Sequence, residues 1–289
     1  MKRYAWFIPA LVLVSAVLVY PALRTLALSF FHMSLGNGFR LEFGGLDNFV
    51  RLIGDSRFQA SLVETGFFTI VSVTIEFILG LLLALAVNGF VRYQGVVRTT
   101  LLVPWTLPTA IIAVLWGWIF NDQYGVLNEL LIRTGLLRSP IAWLAGPNTA
   151  MAAVIIADVW KTVPFVFIIL LAGLQRIPQD LYEALEMDGA GAWAKFRYVT
   201  WPYLMPFVFV SLTFRVIQAF AIFDLVYVMT GGGPGGATET VSLYAYQTLM
   251  RYLDLGYGST IVVATVLLLA AVALGLYALL IRRYERLFQ

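Results

Sequence analysis

Residues 150–173 read AMAAVIIADVWKTVPFVFIILLAG, a run in which Asp158 and Lys161 are the only charged residues. An α-helix needs roughly 20 such residues to cross about 30 Å of hydrocarbon, so this run is long enough to span a bilayer. A strand of a membrane barrel would alternate polar and apolar positions, and this run does not. The stretch therefore predicts a transmembrane helix.

Five further runs of the same character predict an all-α, polytopic membrane protein with six transmembrane helices. The helices are expected near residues 6–31, 62–87, 99–120, 150–173, 206–229 and 258–281, and they make residues 1–289 a single transmembrane domain. Composition agrees, because 61% hydrophobic residues, 12% charged residues and a mean hydropathy of +0.85 do not suit a water-soluble domain. The first run is predicted to be an uncleaved helix rather than a signal peptide, since it is longer than the usual apolar h-region of a signal peptide and carries Arg24 near its end.

Composition also argues against several classes of function. The chain has no Cys and a single His, His32, which excludes disulfides and cysteine nucleophiles and argues against a zinc site. The net charge of +3 comes from Lys and Arg residues scattered between the apolar runs rather than gathered in a stripe, so nucleic acid is not an expected partner. The expected surroundings are a lipid bilayer.

The distribution of basic residues predicts the orientation in that bilayer. If both termini are cytoplasmic, the inner segments hold Lys2, Arg3, Arg92, Arg98, Arg176, Lys195, Arg197, Arg282, Arg283 and Arg286. The outer segments, which are longer in total, then hold Arg40, Arg51, Arg57, Arg133, Arg138 and Arg251. Because cytoplasmic loops carry the excess of Lys and Arg, a multi-pass protein with both termini inside is predicted.

One inner connection is long, and it has its own architecture. Residues 174–205 read LQRIPQDLYEALEMDGAGAWAKFRYVTWPYLM. Asp180 is predicted to cap a short helix, with Glu183 at the capping-box spacing, and Gly189 to end that helix in the left-handed conformation. A second amphipathic stretch at 193–199 then leads to Pro202, which suits the start of a helix or a break before one. The loop is thus predicted to be a helix-turn-helix on the membrane face.

This loop has the features of a docking surface. Ala184, Gly189 and their small neighbours leave room for another protein's backbone, and Glu183 and Asp188 place charge at the edge. The alternative is a solvated surface helix whose acidic residues only stabilise its N-terminus.

The string EALEMDGAGAW at 183–193, followed by Pro202, resembles the signature of binding-protein-dependent ABC importer permeases. Glu183, Ala184, Gly189 and Pro202 match that signature, and Leu185 departs from its usual second Ala. In the family this loop is the coupling helix, which sits in a groove of a cytoplasmic ATPase and transmits its closure to the pore. The resemblance implies an ATPase-coupling role for Glu183, Ala184, Asp188, Gly189 and Pro202.

Four other stretches resemble the carbohydrate permeases, particularly the maltose-type first permease subunit. They are LEFGGLDNFVRLI at 41–53, LLVPWTLPTAIIAVLWGWIF at 101–120, WKTVPFVFIILLAGLQRIPQDLYEA at 160–184 and FDLVYVMTGGGPGGATET at 223–240. The resemblance implies a prokaryotic inner-membrane location and three kinds of partner: a second homologous permease subunit, two cytoplasmic ATPase subunits and an extracytoplasmic sugar-binding protein.

The chain itself is not expected to be an enzyme or to bind a cofactor, because ATP and Mg²⁺ would be held by the partner ATPases. The glycine-rich segment at 230–240 lacks the Gly-Lys-Ser/Thr ending that grips phosphate. It is interpreted as an outer turn that contacts the binding protein or plugs the pore.

Charged side chains at membrane depth are costly, so Glu76, Asp158, Lys161, Arg215 and Asp224 are expected to face the bundle interior, a cavity or an interface. Hexoses are bound by carboxylates, amides and aromatic rings. That chemistry, together with the family's sugar-contacting positions on the fourth and fifth helices, suggests a substrate-pathway set: Asp158, Trp160, Lys161, Thr162, Phe165, Gln218, Phe220, Phe223 and Asp224. The alternative is that Asp158 and Lys161 form a neutralising pair and that the aromatic residues only pack.

The predicted function is the permease subunit of an ATP-driven importer of a sugar, such as trehalose, maltose or another di- or oligosaccharide. Glycerol-phosphate uptake is an alternative within the family, with Lys161 and Arg215 as a phosphate clamp. An ion-coupled secondary transporter would use Glu76, Asp158 and Asp224 as ion ligands. A membrane enzyme is disfavoured because the sequence shows no nucleophile constellation.

Overall fold

The long apolar runs form long helices in a computed structural model that describes residues 7–89 and 94–288. In chain order the α-helices are α1 (Ile8–Val14), α2 (Tyr20–Leu28), α3 (Asp47–Ile53), α4 (Ser56–Asn88), α5 (Gln94–Thr106), α6 (Thr109–Ile119), α7 (Val126–Arg133), α8 (Pro147–Leu174), α9 (Gln179–Met187), α10 (Ala192–Lys195), α11 (Trp201–Phe220), α12 (Asp224–Met229), α13 (Val241–Tyr246) and α14 (Leu255–Phe288). Within the described ranges the only strands are β1 (Phe31–His32) and β2 (Glu42–Phe43), which pair antiparallel.

Shorter helical segments complete these elements. A 3₁₀ turn lies at Leu35–Asn37, and π-helical segments occupy Ser15–Val19, Phe196–Thr200 and Gln247–Arg251. The first two π segments join α1 to α2 and α10 to α11, so each pair of helices continues as one helical stretch.

Across the described part of the chain, five helical stretches are long and apolar enough to cross a membrane: Pro9–Leu28, Ser56–Asn88, Pro147–Leu174, Ala192–Phe220 and Leu255–Ala278. The pair α5 and α6 makes a sixth if it is counted as one span. The all-α, polytopic prediction is confirmed. Its orientation stays a prediction, and Lys2, Arg3 and Arg92, on which it partly rests, lie outside the described residues.

The third predicted span, 99–120, is wrong as a single straight helix. The chain bends by 91° between α5 and α6, at Leu107 and Pro108. Pro108 has φ −57° and ψ 135° and is the N-cap of α6. Proline has no amide proton and disfavours the helical conformation of the residue before it, which explains why the break falls here.

The fifth predicted span, 206–229, is wrong at both ends. The helical stretch begins at Ala192, passes through the π segment and ends at Phe220, and α12 starts only at Asp224. Pro202 therefore lies inside a continuous stretch, where the adjoining π segment accommodates a residue that cannot donate a backbone N–H. Residues 221–223 interrupt the helix without any Gly or Pro, so hydropathy could not reveal the break.

The chain divides into two compact units. One consists of Met1–Val63 and Thr240–Ala270, and the other of Glu64–Glu239 and Ala271–Gln289. We refer to them as the terminal unit and the central unit. The core of the terminal unit includes Leu52, Phe58, Val241, Tyr244, Tyr257 and Ile261.

Polar contacts tie the terminal unit together around Asp55. Its carboxylate accepts hydrogen bonds from the hydroxyl groups of Tyr244, at 2.5 Å, and Tyr257. Arg57 donates to Gln247 Oε1 at 2.6 Å. Asp55 directly precedes α4, so these contacts anchor the start of that helix to the segment that contains α13 and the beginning of α14.

The core of the central unit lies where α4, α8 and α11 pack closely. At Gly80 on α4, an added Cβ would lie 2.7 Å from Val166 Cγ1 and 3.1 Å from the backbone nitrogen of Phe167. At Gly173 on α8, it would lie 2.7 Å from the ring of Phe207 on α11. Small residues at such crossings let helices approach within membranes, so these two glycines set the helix spacing.

Candidate functional site

A buried ion cluster joins the three principal helices of the central unit. Arg215 on α11 donates from Nε to Glu76 Oε2 at 2.5 Å and from Nη2 to Glu76 Oε1 at 2.8 Å. The same Nη2 lies 3.0 Å from Asp158 Oδ2 on α8. The exposed fractions of Glu76, Arg215 and Asp158 are 0%, 2% and 6%. All three were expected to face the bundle interior, a cavity or an interface, and they lie in the interior.

Two further side chains complete the cluster. Thr162 Oγ1 lies 2.7 Å from Glu76 Oε1 and 2.6 Å from the carbonyl oxygen of Asp158. Arg215 Nη1 donates to Gln218 Oε1 at 3.0 Å. Asp158 is thus paired with Arg215 rather than with Lys161. Removing Arg215 would leave two buried carboxylates without a cation, so Arg215 links α4, α8 and α11 through charge as well as through hydrogen bonds.

Lys161 contacts the third span at its bend. Its Nζ donates to Thr109 Oγ1 at 2.5 Å, and Thr109 is the first residue of α6. Lys161 is partly buried, whereas Asp158 on the preceding turn of α8 is buried. The ammonium group therefore ties the start of α6 to α8 and remains partly accessible.

An exposed aromatic cluster lies beside the ion cluster. Trp105 on α5 stacks on Phe165 of α8 with ring centroids 5.9 Å apart, and Phe165 meets Phe214 of α11 edge to face at 6.2 Å. Trp105 is 45% exposed and Phe214 is 54% exposed. Only Phe165 belonged to the set proposed from sequence. Phe214 could have been added from sequence, because it lies one helical turn before Gln218 and therefore on the same face of α11. Trp105 could not, because its contact with Phe165 depends on how α5 packs against α8.

A second aromatic group involves the predicted residue Trp160. Its ring meets that of Trp116 on α6 edge to face, with centroids 5.8 Å apart, and Trp116 stacks on Phe120 at 5.3 Å. Trp160 is 41% exposed. The two aromatic groups together line neighbouring turns of α8.

The structure does not bring all nine substrate-pathway candidates together. Gln218 is exposed on the last turn of α11, but Phe220 is buried and acts in packing. Phe223 lies in the break between α11 and α12 and stacks on Tyr227 at 5.2 Å. Asp224 is the exposed first residue of α12. The break places residues 223 and 224 beyond the end of α11, so they are not on the helix face that carries Gln218.

The loop after α8 forms a separate candidate surface. On α9, Leu181, Tyr182 and Leu185 pack against the central core, and the Tyr182 hydroxyl lies 2.9 Å from Thr200 Oγ1. The opposite face of α9 exposes Glu183, Ala184 and Met187, the last 89% accessible. Lys195 on α10 forms an ion pair with Glu186. The helix is thus fixed on one side and presents an open surface on the other.

The turn at the end of α9 follows the prediction, but the start does not. Gly189 has φ +73°, and the amides of Gly189 and Ala190 donate to the carbonyls of Glu186 and Leu185, each at 2.9 Å. The predicted capping box is wrong, because Pro178 is the N-cap and no side chain caps the helix. Asp180 instead lies in the first turn, where its charge stabilises the positive end of the helix dipole.

The glycine-rich segment 230–240 is a turn closed by its own threonines. Thr230 Oγ1 lies 2.7 Å from Thr238 Oγ1, which donates to the carbonyl of Gly233 at 2.8 Å. Thr238 is fully buried. Four glycines of this turn have positive φ: Gly231, Gly232, Gly235 and Gly236. The turn therefore presents a preformed backbone surface.

Comparison with known proteins adds the following similarities. A model of the family described as "Binding-protein-dependent transport system inner membrane component" matches residues 76–286. The sulfoquinovosyl glycerol transport system permease protein SmoG of Agrobacterium fabrum is 41% identical over 255 residues, which cover 88% of this chain and 82% of that protein. The trehalose/maltose transport system permease protein MalF of Thermococcus litoralis is 42% identical over 265 residues, which cover 92% and 88%.

A solved structure has the same fold. It is the bacterial alginate ABC transporter in complex with the periplasmic protein that carries an alginate pentasaccharide. One of its chains superposes with a TM-score of 0.81 at 22% sequence identity, covering 95% of this chain and 92% of that chain.

Proposed function

The chain belongs to the family of inner membrane components of binding-protein-dependent transport systems, and from this membership we propose that it is a permease subunit of an ATP-driven importer of a di- or oligosaccharide. It would form the translocation pathway together with a second homologous permease subunit. Two relatives support the sugar class, since one is named for trehalose and maltose and the other for sulfoquinovosyl glycerol. Trehalose and maltose are therefore the first substrates to test.

The proposal that the substrate is a sugar rests on one observation: an accessible amide lies beside accessible aromatic rings. Gln218 is exposed on α11, one turn after Phe214, and Phe214 adjoins Phe165 and Trp105. Aromatic rings pack against the apolar faces of sugars, and amide groups bind hydroxyl groups. A neutral, hydroxyl-rich ligand fits this surface.

The arrangement favours a neutral sugar over glycerol phosphate. The guanidinium of Arg215 is already occupied by Glu76, Asp158 and Gln218, so it is not available as one arm of a phosphate clamp. Lys161 alone would have to supply the charge-assisted contacts. The same contacts argue against a secondary transporter, because Glu76 and Asp158 both already bind the guanidinium of Arg215.

The exposed face of α9 supports a coupling role toward cytoplasmic ATPases. In this proposal two ATPase subunits bind ATP and Mg²⁺, and closure of the pair moves the surface formed by Glu183, Ala184, Met187, Asp188 and Gly189. The inner side of α9 is packed on the central core, so a displacement of α9 reaches α8 and α11. The bundle would then alternate between inward-facing and outward-facing states. Both chain termini would be cytoplasmic, and the turn at 230–240 would face the binding protein outside.

Reconstitution tests this function. The complete transporter, with its second permease, its ATPase and its binding protein, is placed in proteoliposomes, and uptake of radiolabelled trehalose or maltose is measured. We expect uptake that needs both ATP and the binding protein and survives an uncoupler. A vesicle lacking the binding protein is the control. Uptake that an uncoupler abolishes and that proceeds without ATP would contradict the proposal and favour an ion-coupled carrier.

A further inference from the structure

The orientation of the Gln218 side chain is determined by its partner. Arg215 Nη1 lies 3.0 Å from the Gln218 amide. A guanidinium group has five N–H donors and no acceptor, so only the amide oxygen can face it. The NH₂ group of Gln218 must then point away from Arg215, whichever way the amide is drawn.

Arg215 itself has no freedom to turn. Two of its nitrogens bind both oxygens of Glu76, and one of them also meets Asp158. These partners come from α4 and α8 and are buried, so the guanidinium plane is fixed by three helices. The ion cluster fixes the guanidinium of Arg215, and the guanidinium in turn fixes the direction of the Gln218 amide.

The outward-pointing NH₂ group lies on an exposed and otherwise apolar face. Phe214 and Ile217 beside it are exposed, as is Ala221 one turn further on. Among the residues whose side chains the structure describes, which are 7, 9–89 and 95–278, the contact with Arg215 is the one hydrogen bond of this side chain, so the NH₂ group has no acceptor there. A fixed donor on an apolar, aromatic surface is suited to an acceptor oxygen of a ligand.

We infer that Arg215, held by Glu76 and Asp158, is a positioning residue that locks Gln218 as a hydrogen-bond donor to a hydroxyl, ring or glycosidic oxygen of the transported sugar. Preorganisation lowers the cost of fixing this side chain when the ligand arrives. The inference rests on the proposed function and goes beyond it by assigning Arg215 an indirect role in substrate recognition. Of Arg215 and Gln218, only Gln218 touches the sugar.

Two substitutions at position 218 separate recognition from packing. Gln218→Glu keeps an oxygen for Arg215 but has no NH₂ group, whereas Gln218→Met has about the same length and lacks both. The ratio of sugar transported to ATP hydrolysed is measured with labelled trehalose or maltose and saturating binding protein. Loss of the hydrogen bond to the sugar should lower this ratio about fivefold or more in both variants.

If Gln218 had only a structural role, the two variants would transport sugar differently from each other. If Gln218 only satisfies Arg215, Gln218→Glu transports normally and Gln218→Met does not, and that outcome would overturn the inference. Gln123→Glu makes the same chemical change at an exposed amide before α7 and serves as the matched control.

The dependence on Arg215 is tested by a double-mutant cycle. Arg215→Lys keeps the charge but loses the planar fork that reaches Glu76 and Gln218 together. Gln218→Glu should therefore cost less in the Arg215→Lys background than in the wild type, and additive losses would count against positioning.

The same experiments distinguish failure of the proposed function from failure of this inference. If wild-type transporter takes up neither sugar, the proposed substrate class fails, and with it the inference. If wild type transports and Gln218→Glu is unchanged, only the inference fails.

Discussion

The guanidinium of Arg215 binds both oxygens of Glu76, at 2.5 Å and 2.8 Å, although the two residues are 139 positions apart in sequence. Both side chains are almost inaccessible. Asp158 provides a second carboxylate on the same guanidinium. The cluster therefore contains two carboxylates and one guanidinium, and the consequence of each substitution depends on which charge is removed.

Arg215→Met should be the most damaging change within the cluster, because it leaves two buried carboxylates without a cation. Breaking a buried ion pair in this way typically costs about 3 to 5 kcal/mol. Glu76→Gln should cost less, since Arg215 and Asp158 then remain as a balanced pair. Thermal unfolding of the detergent-solubilised transporter measures both.

The matched control for this prediction is the variant that removes all three charges, Glu76→Gln, Asp158→Asn and Arg215→Met together. It should be more stable than Arg215→Met alone. If it is instead the least stable of the set, the cluster acts by hydrogen bonding and shape rather than by charge balance.

Gly80→Val should impair folding of the central unit. The new Cβ would overlap Val166, and the backbone of Phe167 leaves little room for adjustment. Overpacking of this kind typically costs about 1 to 3 kcal/mol. Gly66→Ala on the same helix is the control, because no atom lies within 4 Å of its Cβ. We expect a lower unfolding temperature for Gly80→Val and an equal or higher one for Gly66→Ala, and equal loss in both would contradict the packing argument.

Gly189→Val should uncouple transport from ATP hydrolysis. Gly189 has φ +73°, which costs other residues roughly 1 to 2 kcal/mol and is especially unfavourable for a β-branched side chain. The turn after α9 would rearrange and displace the exposed face that we assign to ATPase docking. The measured quantities are sugar uptake and ATPase activity of the same preparation, and uptake should fall much more than the amount of inserted protein.

Gly191→Ala controls for the added methyl group. Gly191 has φ −73°, and its Cβ would meet no atom within 4 Å. Unchanged uptake in Gly189→Val would remove the coupling role from this turn.

The Asp55 contacts should make the stability of the terminal unit depend on pH. Burial raises the pKa of Asp55, but the hydrogen bonds from Tyr244, Tyr257 and two backbone amides outweigh burial, so the pKa lies below its usual value of 3.8. The resulting stabilisation is present above about pH 4 and is lost as the pH falls through the lowered pKa of the folded state. Asp55→Asn should remove this acid transition, as measured by hydrogen exchange of α3 and α13 between roughly pH 2 and pH 5.

Tyr244, which donates a hydrogen bond to Asp55, should make the stability of the terminal unit depend on pH at alkaline pH as well. Burial, and then the hydrogen bond to Asp55, raises the pKa of Tyr244 to about 12. A raised pKa gives stabilisation that is present below the ordinary value of about 10 and is lost as the pH rises through about 12. Tyr244→Phe should weaken the alkaline transition, and the hydroxyl of Tyr257 still binds the same carboxylate in this variant. Acid and alkaline transitions that are unchanged in both variants would show that other groups control the terminal unit.

Apolar run length predicted the existence of the spans, because the cost of exposing backbone groups to hydrocarbon leaves helices as the solution for long apolar segments. The same reasoning placed Glu76, Asp158 and Arg215 away from lipid, in the bundle interior, a cavity or an interface. It could not pair them, since which helices are neighbours is a property of packing and not of local sequence. Asp158 and Lys161, three residues apart on one helix, suggested a pair, but Arg215 from another helix binds Asp158 instead.

Of the breaks in the third and fifth spans, one could be predicted from the local sequence and the other could not. Leu107 and Pro108 carry a local signal for the bend, whereas residues 221–223 are as apolar as their surroundings and carry none. That second break separates Phe223 and Asp224 from the face that holds Gln218. It therefore decides which of the sequence candidates can act together.

The amino-acid sequence alone determined the helical membrane architecture, the placement of Glu76, Asp158 and Arg215 away from lipid and the left-handed turn at Gly189, because each follows from the local cost of placing a group in hydrocarbon or of adopting a backbone angle. Only the tertiary structure showed that Arg215 binds Glu76, Asp158 and Gln218 at the same time. It also showed that the rings of Trp105 and Phe214 contact that of Phe165. Those relationships depend on how α4, α5, α8 and α11 approach one another, and that approach is set by the whole packed interface.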